Sequence, residues 1–61
     1  MEEMKDLSPV EQAAWKQGFL FGFSSNEFLY EWELIAQGLI PYPAGTIEYA
    51  RWLHGYQSNS T

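Results

Sequence analysis

Carboxylates and aromatic rings are the chemistry-bearing groups of this chain. Glu27, Glu31 and Glu33 lie close together around Tyr30, and Tyr49, Arg51, His54 and Tyr56 follow in a second group. Paired carboxylates serve acid–base chemistry when a cleft raises the pKa of one of them. Nothing beside these three supplies a nucleophile, a base or a phosphate-cradling glycine loop. The chain has one His and no Cys, which removes disulfides and thiolate metal sites and leaves no nitrogen-rich metal set. His54, near the end of an expected helix, reads as a favourable contact with the helix dipole rather than as a base. No enzyme and no cofactor are expected. The carboxylates then read in three ways: as a solvated helix face, as a docking surface for a basic protein, or as an imitation of nucleic-acid phosphates. Glu27 and Glu31, four apart on a helix, would repel each other mildly.

Charge narrows the choice of partner. Eight Asp/Glu against three Lys/Arg give a net charge of −5 at pH 7. Nucleic-acid affinity comes mainly from Lys and Arg displacing counterions at phosphates, and Lys5, Lys16 and Arg51 are too few for that. Direct binding to nucleic acid or to an anionic membrane is not expected, and a protein with a basic surface is the expected partner. The opening Met1-Glu-Glu-Met-Lys-Asp6 is acidic where a secretory leader is basic. No apolar run approaches the ~20 residues that span a bilayer. The expected compartment is the cytoplasm.

Stepping the chain into elements gives three helices. Residues 1–7 and 58–61 are polar and expected to fray. Ser8-Pro9-Val10-Glu11 combines a cap, a proline suited to the first helical position and a capping-box carboxylate, so a helix is expected over 9–23. Ala14, Gly18 and Gly22 recur every four residues as a ridge of small side chains where another helix can approach closely. The two glycines cost about 1 kcal/mol each relative to Ala, which calls for a packing reason. Trp15, Phe19 and Phe23 make a second stripe, read as buried core or as a face for a partner or a second copy.

Ser24 with Glu27, or Asn26 alone, is read as the cap of a second helix over 26–37. Phe28, Leu29, Trp32, Ile35 and Ala36 would form its buried face. Leu34 falls off that face. With Gly38 as a left-handed cap, Leu39 would pack back on Leu34 in a Schellman motif. Pro41 and Pro43 stiffen the connector, and Thr46 caps a third helix over 46–57, with Glu48 in its first turn. Tyr49, Trp52, Leu53 and Tyr56 share one face there, and Gly55 is read as ending or loosening the last turn. Arg51 would pair with Glu48 or with a carboxylate of the second helix, a contact worth little when exposed.

Pro41-Tyr42, then Trp52-Leu53-His54-Gly55-Tyr56, resemble the C-terminal half of the ribosome modulation factor family. Its small phage-borne members often read Pro-Tyr-Pro before a Gly-Thr helix start, as Pro41-Tyr42-Pro43-Ala44-Gly45-Thr46 does. Upstream, Gln17-Gly18-Phe19-Leu20-Phe21-Gly22 is similar to that family's glycine-aromatic run. The resemblance covers residues 17–22 and 40–56. It implies a helix-turn-helix frame, a phage or prophage context, and binding to small-subunit ribosomal RNA that promotes inactive ribosome dimers. The spacer from Gly22 to Pro41 is longer than in that family, and the basic residues of its ribosome-binding members are missing.

The expected fold is a small all-α three-helix mini-bundle, a single domain over 1–61, with a Pro-Tyr-Pro connector before the last helix and with homodimerisation open. Its core would hold Val10, Ala14, Phe21, Phe28, Trp32, Ile35, Trp52 and Leu53, with Tyr42 under the connector. The expected function is a non-enzymatic module that modulates a host protein. Its surface would comprise Trp15, Phe19, Tyr30, Tyr49, Arg51 and Tyr56, with Glu27, Glu31 and Glu33 beside them. One alternative is a ribosome-associated regulator, with Lys16 and Arg51 on phosphate and Tyr42, Trp52 or Tyr56 stacked on bases. A further alternative is an acidic nucleic-acid mimic that inhibits a host defence or DNA-handling enzyme.

Overall fold

Three helices and a terminal 3-10 turn account for most of residues 7–60, the part of the chain that the computed structural model describes. Helix α1 spans Pro9–Ser24, α2 spans Glu31–Ala36 and α3 spans Ile47–Gln57, followed by the 3-10 turn Ser58–Ser60. The expected all-α mini-bundle is therefore present. The fraying expected at residues 1–6 and 61 lies outside the described residues. Leu7 is described, and its carbonyl accepts from Gln12 Nε2 at 2.7 Å.

The start of α1 forms as its sequence dictates. Ser8 Oγ accepts from the Glu11 N–H at 3.2 Å, and Glu11 Oε1 accepts from the Ser8 N–H at 3.0 Å, closing a reciprocal capping box. Its end is set by two serines. Ser24 Oγ donates to the Leu20 carbonyl at 3.1 Å and Ser25 Oγ to the Phe21 carbonyl at 2.7 Å. These hydroxyls satisfy carbonyls that a helix terminus leaves unpaired. Ser24 closes α1 and does not cap the next helix, and the expected start of α2 at residue 26 is corrected to Glu31. The delay has a second cause. The buried Tyr56 hydroxyl accepts from the Leu29 N–H at 2.7 Å, holding residues 25–30 in a non-helical path. Helix α2 begins once Glu33 Oε1 accepts from the Tyr30 N–H at 2.8 Å.

The α2 terminus is the predicted Schellman motif. Gly38 has φ +66°, the Leu39 N–H donates to the Leu34 carbonyl at 3.0 Å, and the Gly38 N–H donates to the Ile35 carbonyl at 3.0 Å. The connector then lays Leu39, Ile40 and Tyr42 against the core. Tyr42 donates its hydroxyl to Gln17 Oε1 at 3.0 Å. Thr46 caps α3 by accepting from the Tyr49 N–H at 3.2 Å.

Helices α1 and α3 touch backbone to backbone. A Cβ on Gly18 would lie 1.9 Å from the Trp52 carbonyl oxygen, and one on Gly55 would lie 2.0 Å from the Trp15 carbonyl oxygen. Glu11 meets Arg51 and Phe19 meets Asn59, both 40 positions apart, so the two helices run side by side in the same direction. The small-residue ridge of Ala14, Gly18 and Gly22 is thus the crossing surface. Gly55 has the matching role on α3 and does not end the helix, which continues to Gln57. Asn59 in the 3-10 turn donates to the Phe19 carbonyl at 2.8 Å, anchoring a segment expected to fray.

Such close backbone contact leaves little volume between the helices. Among the described residues the buried apolar side chains are Ala14, Leu34, Trp52 and Tyr56. Trp52 and Tyr56 stack with ring centroids 5.6 Å apart, and Phe21 leans on both. Four expected core residues are corrected: Val10 is 56% exposed, Phe28 44%, Trp32 68% and Ile35 54%. Of the six residues of α2, Leu34 is the one that is buried.

Candidate protein-binding surface

The turned-out face of α2 follows from helical geometry. At about 100° per residue, Trp32, Ile35 and Ala36 share a stripe opposite Leu34, and Glu31 and Glu33 fall on its two flanks. Leu34 is fully buried and the three stripe residues are exposed. Tyr30, 66% exposed, precedes the stripe. Phe28, just before it in the chain, stacks on Tyr56 with ring centroids 5.1 Å apart while remaining partly open to solvent. A carboxylate-edged apolar stripe with Trp at its centre is thus held outward by burial of the leucine behind it.

Its two flanks are fixed by different contacts. Tyr49 on α3 donates its hydroxyl to Glu31 Oε2, which ties that edge of α2 to the bundle. This hydrogen bond to a carboxylate raises the Tyr49 phenol above its ordinary pKa, with burial and the Glu31 charge adding to the shift. Glu33, on the other flank, is engaged at the Tyr30 N–H. Glu27 is exposed. Glu31 and Glu33 border Trp32 on α2, and Glu27 lies in the segment before that helix.

The remaining expected site residues separate. Trp15 and Phe19, half-buried, stack at 5.3 Å, and Phe19 stacks on the 74%-exposed Phe23 at 6.3 Å, forming a ladder along α1. Tyr56 is 1% exposed and cannot meet a partner, so its place in the expected surface is corrected. Arg51 does not pair with Glu48 or with α2. Its Nε donates to Glu11 Oε2 at 3.1 Å, bridging α3 to α1. Glu11 is held below the usual carboxylate range, chiefly by the Ser8 N–H, then by the Ser8 side chain and by Arg51.

Trp32 and Ile35 were missed as surface residues because the period of α2 assigned them to the core. The available signal was Leu34, a large apolar side chain that this period left off the expected core face. Among the described residues no three His, Asp or Glu converge on a metal position, and no helix is long and apolar enough to cross a membrane. A shallow open depression of about 400 Å³ on α1 is lined by Pro9, Gln12, Ala13, Lys16, Gln17 and Leu20. No protein-family model, curated protein or solved structure matches this chain. The fold and surface define a class, a small acidic helical domain with an outward aromatic stripe.

Proposed function

We propose that this chain is a non-enzymatic protein-binding module that docks on another protein and modulates it. The resemblance of residues 40–56 to phage-borne ribosome modulation factor relatives suggests a phage or prophage origin and a bacterial cytoplasmic setting. One observation carries the reading: Trp32 stands 68% exposed on α2 beside the 54%-exposed Ile35, while Leu34 alone serves the core. Trp and Tyr are the residues most enriched at interface hot spots. Exposed apolar side chains clustered with a polar border are the usual mark of an interaction site.

Ribosomal RNA binding has weaker support. Two rings assigned to base stacking, Trp52 and Tyr56, are buried, and the Arg51 guanidinium is engaged by Glu11. Affinity capture from bacterial lysate, with and without nuclease, separates the readings. The expected result is a nuclease-insensitive protein held by the wild-type chain and lost from a W32S/I35S variant. Recovery of ribosomal subunits that disappear on nuclease treatment, undiminished by W32S/I35S, would overturn the proposal.

A further inference from the structure

We infer that the α2 stripe takes a basic amphipathic helix, one whose apolar stripe is bordered by Lys and Arg. This rests on the protein-binding reading and names the chemistry of the partner. The argument is charge complementarity around a defined apolar line. Glu31 and Glu33 flank Trp32, Ile35 and Ala36 on both sides, all on one short helix, and the exposed Tyr30 is the residue just before its first turn. A helix laid along this stripe buries its apolar residues against Trp32 and Ile35 and brings its flanking positions to the two carboxylates. That is the pairing seen when amphipathic helices are recognised by spaced anchors, with the flanking charges selecting the partner.

A second copy of the chain fits the stripe poorly. Two stripes brought face to face would set carboxylates against carboxylates, in a protein of net charge −5. The cations among the described residues are on other elements: Lys16 borders the depression on α1, and Arg51 on α3 is committed to Glu11. A partner that brings its own cations relieves the like-charge contact that self-association would create.

The test uses the full chain and a labelled synthetic Leu/Lys amphipathic helix of about five turns, followed by fluorescence anisotropy. Saturable binding is expected, weakened tenfold or more by W32S and by I35S separately and changed less than twofold by L20S on α1. Affinity should fall several-fold as salt rises past the concentration at which exposed charges are screened, and a Leu/Glu helix of the same pattern should not bind. Circular dichroism of each variant shows that the fold is retained. Equal binding by wild type, W32S, I35S and L20S would reveal diffuse attraction of a cationic peptide to an acidic chain and overturn the inference. A dimer in sedimentation that I35S dissolves would overturn it in favour of a second copy. If the peptide fails while lysate capture still depends on Trp32 and Ile35, the binding module stands and only the assigned partner chemistry falls. Loss of both removes both.

Discussion

Tyr56 is 1% exposed, yet its hydroxyl is occupied by the Leu29 N–H and its ring stacks between Trp52 and Phe28. One side chain thereby joins α3 to the arm that carries α2. Y56F keeps the ring and strands the part-buried Leu29 N–H, which should lower stability by about 1–3 kcal/mol in urea denaturation. Hydrogen exchange should show the loss concentrated at residues 25–30. Glu11 gives a pH-dependent test. Its folded pKa is depressed, so the native state favours the ionised carboxylate. Its contribution is present above the unfolded pKa and lost as pH falls through the folded one. The stability gap between wild type and E11Q should be constant near neutrality and close in acid, below the usual carboxylate range. A gap that persists there would remove Glu11 from the account.

At the scale of elements, the α1–α3 crossing makes an unusual prediction about glycine. Ala is the better helix former by about 1 kcal/mol, so G18A or G55A in an ordinary helix would stabilise. Here each added methyl collides with a carbonyl oxygen at 1.9 or 2.0 Å. Both variants should lose stability, by the ~1–3 kcal/mol of overpacking or more, read by thermal or urea unfolding. G38A meets no neighbouring atom and should show only the strain of its positive φ, about 1–2 kcal/mol.

Much of this level was legible in the residues. Ser8 with Glu11, Thr46, Gly38 with Leu39 and the Ala14-Gly18-Gly22 ridge each specify a local geometry that the fold adopts. The second helix was the exception. Ser24 and Asn26 were the expected caps of the second helix, but Ser24 closes α1 and the Tyr56 hydroxyl takes the Leu29 N–H, so α2 starts at Glu31. Helical periodicity shows two sides of α2 but not which side is buried; the side that carries Leu34 packs inward, and Trp32 and Ile35 face out. The Glu11–Arg51 pair, 40 residues apart, follows from the helix register, which no local pattern contains. Glu31 and Tyr49 were expected on one surface, and the Tyr49 hydroxyl donates to the Glu31 carboxylate.

For the whole molecule, stability and binding lie on opposite sides of α2. L34A should cost about 2–5 kcal/mol, because it empties a fully buried position. Serine at Trp32 and Ile35 should stay within about 0.5 kcal/mol of wild type, as substitutions at exposed positions usually do. The most direct test measures one W32S/I35S variant twice, by urea unfolding and by capture of its protein partner. The account predicts an unfolding midpoint close to wild type together with lost capture. A midpoint that falls as far as that of L34A, or capture that persists unchanged, would contradict it.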